Sequence, residues 1–110
     1  LAQSKYETEN IPLGIYLDDL PIGFMMYCID KEDNEYWIYR VMIDATHQKR
    51  GYGKLAFSKL IKRIKEDENH SIIRLSFEEN NYVARAMYES FGFKNTYKYT
   101  GDEIIFELNY

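Results

Sequence analysis

The run Gln48-Lys49-Arg50-Gly51-Tyr52-Gly53 places two glycines and two cations where an aromatic, β-branched stretch, Tyr36 to Ile43, hands over to a segment with helical periodicity, Lys54 to Lys65. Glycines at 51 and 53 tolerate positive φ and carry no Cβ to obstruct close approach, so a backbone of this kind can hold phosphates. The first-turn amides of the following helix point at the same spot, and the helix macrodipole adds to the attraction. The expected chemistry is anion binding at a strand-to-helix junction. Other reactive groups are few. Cys28 lies in the apolar run Ile22 to Ile29 with no basic neighbour in sequence, and reads as a core thiol. His47 precedes the loop and could touch a phosphate, whereas His70, between polar residues, reads as exposed; neither has neighbours that suggest a metal site or a triad.

The elements that must position this junction follow from periodicity. Leu13 to Leu17 and Ile22 to Ile29 read as strands joined through the turn residues Asp18-Asp19-Leu20-Pro21, and after a polar loop Glu35 to Ile43 reads as a third, antiparallel strand. Phe57, Leu60, Ile61 and Ile64 repeat at i, i+3, i+4, i+7 and predict a helix over Tyr52 to Asp67. A helix between two strands implies a right-handed parallel crossover to the next strand, Ser71 to Phe77. Asn80 or Asn81 can cap a second helix, Tyr82 to Phe91, whose Ala84, Met87, Tyr88 and Phe91 share one face and which Gly92 can stop. Lys94 to Tyr99 and Glu103 to Asn109 flank a three-residue connection, Thr100-Gly101-Asp102. The expected fold is a mixed α/β sheet in one domain over residues 1–110: an antiparallel meander, a parallel β-α-β crossover, a second helix and a C-terminal hairpin. The loop then lies at the carboxyl end of a strand, where open α/β sheets bind ligands.

Composition narrows the classes. With 110 residues, 45% hydrophobic and 29% charged, the chain has material for one modest core, and its apolar runs are strand-length rather than membrane-spanning. One cysteine fits a reducing compartment, so the expected location is the cytoplasm. The formal net charge of −4 hides an asymmetry: Ala45 to Lys65 holds seven cations and no acid, leaving 7 cations against 18 acids elsewhere, a formal −11. This suggests one anion site on an acidic body that attracts cations. A basic run confined to one loop and helix does not fit a nucleic-acid partner, and Lys62, Arg63 and Lys65 also suit the last turns of a helix.

The loop Gln48 to Gly53, followed one crossover later by Asn81 to Phe93, resembles the GCN5-related N-acetyltransferases: a Gln/Arg-x-x-Gly-x-Gly/Ala loop and an Asn-x-x-Ala-x-x-hydrophobic-Tyr-x-x-x-Gly-Phe helix, in the family's order and spacing. The likeness covers residues 11 to 110, and Tyr39 to Asp44 with Gly51-Tyr52-Gly53-Lys54 is most similar to bacterial diamine and polyamine acetyltransferases. The resemblance implies acetyl-CoA as co-substrate. It implies a diphosphate held by Gln48, Lys49, Arg50, Gly51, Tyr52, Gly53 and Lys54, with Lys49 or Arg50 adding charge-assisted hydrogen bonds. It further implies a pantetheine arm laid in a gap between the two parallel strands, against main-chain groups of Val41, Met42 and Ile43, one N–H of which would stabilise a developing oxyanion. Asn81 would contact the pantetheine or cap its helix, and both readings stay open. Tyr88 would give a proton to the departing thiolate, although its shared face with Ala84, Met87 and Phe91 also reads as core.

The general base is unassigned by the resemblance, because Tyr39 stands where some polyamine-acetylating relatives have glutamate. Glu35, Glu78 and Glu79 are the candidates, and Glu79 is preferred as nearest the expected site. Trp37 and Tyr39 could line an acceptor pocket or belong to the core. The expected reaction is direct attack of a primary amine on acetyl-CoA in a ternary complex, with a polyamine or diamine as acceptor; a protein N-terminus, a lysine or an antibiotic amine also fits the acidic balance. A catalytically silent acyl-CoA-binding sensor is the alternative reading. A homodimer is left open, and no nucleic-acid, membrane or metal partner is expected. The chain begins at Leu1, and a strand and helices that relatives carry ahead of Ile11 are expected to be missing from it.

Overall fold

A computed structural model describes residues 11–43 and 51–110. Its elements are β1 (Ile11–Leu17), β2 (Leu20–Ile29), β3 (Tyr36–Ile43), α1 (Tyr52–Lys65), β4 (Ile72–Glu78), α2 (Tyr82–Ser90), β5 (Lys94–Thr100) and β6 (Glu103–Asn109). The strands form one six-stranded sheet in the order β1-β2-β3-β4-β6-β5. β1, β2 and β3 run antiparallel, β3 and β4 run parallel across the α1 crossover, and β4-β6-β5 is antiparallel again. This is the architecture expected from the sequence.

Two turns are tighter than expected. Leu20 and Pro21 pair with Leu17 and Tyr16, so Asp18-Asp19 alone closes the first hairpin, with Asp18 at φ 54. Thr100 pairs with Glu103, so Gly101-Asp102 alone closes the last one, and Gly101 takes φ 62. In both hairpins the first residue of the two-residue turn takes positive φ, as tight connections between twisted strands require.

Both helices cover one face. Ala56, Phe57, Leu60, Ile61 and Ile64 of α1 are buried in the same cluster as Ile73, Leu75 and Phe77 of β4 and Ile104, Phe106 and Leu108 of β6. Ala84, Met87, Tyr88 and Phe91 of α2 pack against this cluster while remaining partly exposed. Lys62, Arg63 and Lys65 occupy α1's last turn, where cations complement the helix dipole. Strand alternation puts the next residues on the opposite face, where Cys28 and Trp37 form a second, smaller cluster joined by Tyr39 and Ile105. On that face Arg74 bridges Asp33 (2.8 Å) and Glu107 (3.1 Å), and Trp37 Nε1 donates to Asp33 at 2.9 Å, which ties the β2–β3 loop to the sheet.

At the amino end of the parallel pair, Tyr36 donates to Asp67 at 2.7 Å and His70 Nδ1 lies 2.9 Å from the same oxygen, with the His70 and Tyr36 rings 5.1 Å apart edge to face. His70 is therefore not the exposed residue its polar neighbours suggested. Its side chain is 13% exposed, and the carboxylate three residues earlier folds back onto it as the chain leaves α1. Among the described residues no group of three His, Cys, Asp or Glu side chains could hold a metal ion, and no helix is long and apolar enough to cross a membrane.

Candidate active site

The two parallel strands share only the start of their lengths. Tyr36 pairs with Ile73, Trp37 with Arg74 and Ile38 with Leu75, after which β3 runs on to Ile43 and β4 to Glu78 without pairing each other. The separation begins at a bulge. Met26 of β2 faces Arg40 and Tyr27 faces Ile38, which leaves Tyr39 as the extra residue on β3. An extra residue bends its own strand and increases local twist, so β3 follows β2 away from β4. Val41, Met42 and Ile43 thus pair with Met25, Phe24 and Gly23 on one edge and turn the other toward the gap.

The start of α1 borders the same region. Gly51 is the N-cap, in the left-handed conformation at φ 81 and ψ 2, and a side chain there would be strained although nothing lies within 4 Å of where its Cβ would be. Of the two glycines only Gly51 uses the freedom of positive φ; Gly53 lies within the helix, where it adds no side chain to the first turn. The helix has no side-chain cap, and its first turn contains no acid. The Leu55 amide makes the bond to the Gly51 carbonyl at 3.0 Å, so the amides of Gly53 and Lys54 precede the regular ladder. Gln48, Lys49, Arg50 and His47 lie outside the described residues.

α2 begins differently. Asn81 Oδ1 accepts from the Ala84 amide at 3.1 Å, a regular N-cap. Gly92 ends the helix region at φ 97, as the sequence suggested. Tyr88, in the last turn, lies between α1 and the part of β4 that has parted from β3. Its ring is 5.4 Å from Phe57, 5.2 Å from Phe77 and 6.1 Å from Phe93. Burial, reinforced by the nearby Glu103 carboxylate, pushes its phenol above the usual tyrosine value and keeps it protonated. Packing and proton donation are compatible, since the ring fixes the position and the hydroxyl has no hydrogen-bond partner among the described residues.

The candidate bases separate clearly. Glu35 precedes β3 at the amino end of the parallel pair, roughly 25 Å along an eight-residue strand from its carboxyl end. Glu78 ends β4, and Glu79 follows it. Both line an open cleft of about 550 Å³ with Asn80, Tyr82, Arg85 and Asp102, at the carboxyl end of β4. Glu79 accepts a hydrogen bond from Tyr99 at 2.7 Å. Arg85 is turned toward Glu89, 3.3 Å away. Trp37 is 8% exposed and packs on Cys28, and Tyr39 accepts a contact from the Cys28 thiol at 3.5 Å, so both lie in the second cluster as the core reading had it. Sequence reasoning missed Tyr99, Asp102 and the Ser76–Glu103 hydrogen bond of 2.7 Å, which depend on β6 inserting between β4 and β5.

The parallel pair thus parts beside a helix start that is led by glycine and has no side-chain cap. Residues 2–93 match the Acetyltransferase (GNAT) family. The chain belongs to that family. It is 34% identical over 89 residues to the spermine/spermidine N(1)-acetyltransferase of Bacillus subtilis (strain 168), an alignment that covers 76% of this chain and 59% of the relative. The chain thus spans less than two thirds of that relative's length. The structure is similar to PaiA N-acetyltransferase from Thermoplasma acidophilum in complex with coenzyme A, at TM-score 0.78 and 25% identity, covering 99% of this chain and 65% of the other. The ribosomal-protein-S18-alanine N-acetyltransferase from Escherichia coli shares the fold at TM-score 0.74 and 22% identity, covering 96% of this chain and 72% of the other.

Proposed function

We propose that the protein is an acetyl-CoA-dependent N-acetyltransferase whose acceptor is a primary amine of a polyamine or diamine, acetylated by direct attack in a ternary complex. The parting of β3 and β4 after Ile38 and Leu75 carries this reading, because it leaves main-chain groups on the β3 edge unpaired with β4. The residues present suit the co-substrate. Gly51 and Gly53 leave the first turn of α1 bare, its amides are not used by a side-chain cap, and Lys54 adds positive charge. Lys49, Arg50 and Gln48 extend this anion site in the sequence, and Tyr52 opens the helix. Main-chain groups of Val41, Met42 and Ile43 hold the arm of the co-substrate, which supplies an acetyl thioester. Asn81 stiffens the start of α2 as its cap and presents its amide group at the same end of the sheet.

The chain's own groups then handle protons. Glu79, directly or through one water, takes a proton from the acceptor amine, whose nitrogen lone pair forms the new C–N bond at the acetyl carbon. The C–S bond breaks with its electron pair on sulfur, and Tyr88 delivers the proton that makes the thiol. Solvent later returns a proton to Tyr88 and removes one from Glu79, so the sum is amine plus thioester to amide plus thiol. The name of the 34% identical relative and the carboxylates of Glu78, Glu79 and Asp102 around the cleft favour a polyamine, whose further ammonium groups they would attract. A free-thiol assay with acetyl-CoA against spermidine, spermine, lysine peptides and aminoglycosides tests the proposal. Thiol release fastest with spermidine or spermine is expected. Release with none of the amines contradicts it, and binding of acetyl-CoA without release assigns a silent acyl-CoA-binding module instead.

A further inference from the structure

Tyr99 lies on the edge strand β5, and Glu79 follows β4, with the whole of β6 between them. Two strand spacings amount to roughly 10 Å. The hydroxyl of Tyr99 nevertheless donates to a Glu79 carboxylate oxygen at 2.7 Å, the two side chains reaching toward each other across β6. Asn95 pairs with Phe106, but Lys98 pairs with Ile105, so two residues, Thr96 and Tyr97, are extra in β5. Without them the regular register would put Tyr99 opposite Asp102, one step past the Glu78–Glu103 pair. With them it stands opposite Ile104, a buried residue of the helix-covered face.

This bulge is held in place by its own hydrogen bonds. Tyr97 is forced to φ 61, a conformation unfavourable for a side chain of its size. Asn95 Oδ1 accepts from the Tyr97 amide at 2.7 Å, Thr96 Oγ1 donates to the Ile105 carbonyl at 2.7 Å, and the Lys98 amide donates to Thr96 Oγ1 at 3.2 Å. The bulge shifts the residues beyond it, Lys98, Tyr99 and Thr100, by two positions along β6. A tyrosine has few rotatable bonds, so it fixes an exposed carboxylate at low entropic cost.

We propose that Tyr99 is a positioning residue for the proton acceptor: its hydroxyl holds Glu79 in one orientation at the mouth of the acidic cleft. The inference rests on the role given to Glu79 above. The other charged and titratable groups around Glu79 are Glu78 of β4, Tyr82 and Arg85 of α2, Asp102 of the hairpin turn and Glu103 at the start of β6. Arg85 is turned to Glu89, which leaves Tyr99 as the side-chain donor seen on the Glu79 carboxylate.

The test combines NMR side-chain couplings of Glu79, which report whether it keeps one rotamer, with steady-state kinetics for spermidine in the wild type, Tyr99→Phe, Glu79→Gln and the double variant. Tyr99→Phe is expected to average the Glu79 couplings and to lower kcat several-fold, with KM for acetyl-CoA and the melting temperature nearly unchanged, and to have no further effect once Glu79 is replaced. Unchanged Glu79 couplings in Tyr99→Phe overturn the inference whatever the activity. Couplings that average while kcat stays at the wild-type value also overturn it, since Tyr99 would then hold a carboxylate the reaction does not use. A wild type without turnover defeats the proposed function itself, and the NMR arm alone then decides whether Tyr99 holds Glu79.

Discussion

Ile38 and Leu75 are the last residues that β3 and β4 share, and the bulge at Tyr39 immediately beyond them sends the two strands apart. The separation is built from main chain. It therefore tolerates wide variation in the side chains around it, while the groups that do chemistry must reach it from α1, α2 and the end of β4.

Tyr88→Phe is expected to lower kcat on the order of 10²-fold, with KM for acetyl-CoA changing little. The ring contacts to Phe57, Phe77 and Phe93 remain, so the melting temperature should stay close to that of the wild type. Steady-state kinetics and thermal denaturation of the purified variant check both parts. Because burial raises the Tyr88 phenol above its ordinary 10.0, no activity loss from its ionisation is expected below pH 10.

Gly51→Ala should cost about 1 to 2 kcal/mol of stability, the penalty for a side chain in the left-handed region. The strain acts on the cap of α1, so acetyl-CoA binding should weaken as well. Chemical denaturation and calorimetric titration measure the two effects, and Gly53→Ala, inside the helix, should weaken binding without that loss of stability.

Cys28 is fully buried, and burial is the main cause raising its thiol above the usual range. Slow reaction with Ellman's reagent in the folded state and full reaction in guanidinium are expected, as measured by absorbance. The same property keeps the protein's own thiol silent in a coenzyme-release assay.

The hydrogen bond from Tyr36, more than any other group, holds the Asp67 carboxyl below its ordinary 3.8; the Asn69 amide and His70 act in the same direction. A carboxyl depressed in the folded state contributes stability that is present above the unfolded value and lost as pH falls through the folded one. The wild type should therefore lose melting temperature on acidification below about pH 4, and Tyr36→Phe should show a smaller part of that loss. Thermal scans between pH 2 and pH 7 measure the difference.

Local rules made most of the fold legible. The i, i+3, i+4, i+7 spacing identified the buried face of α1, and the alternation of Ile104, Phe106 and Leu108 identified the inner face of β6. Hairpin ends were read two residues too wide at Leu20 and one at Thr100, because turn-favouring residues such as Pro21 can also open an edge-paired strand. The Tyr88 and Asn81 positions were legible through their place in a helix pattern. Tyr99 was not, since its meeting with Glu79 needs the β4-β6-β5 order, which local patterns do not give. His70 was misread for a similar reason: polar sequence neighbours say nothing about a carboxylate that folds back from a helix end.

The most direct measurement is a crystal structure with acetyl-CoA bound. The account expects the diphosphate within hydrogen-bond distance of amides at Gly51 to Lys54, and the pantetheine arm along Val41 to Ile43 with its thioester close to the Tyr88 hydroxyl. Coenzyme bound elsewhere, with the space between β3 and β4 empty, would contradict it.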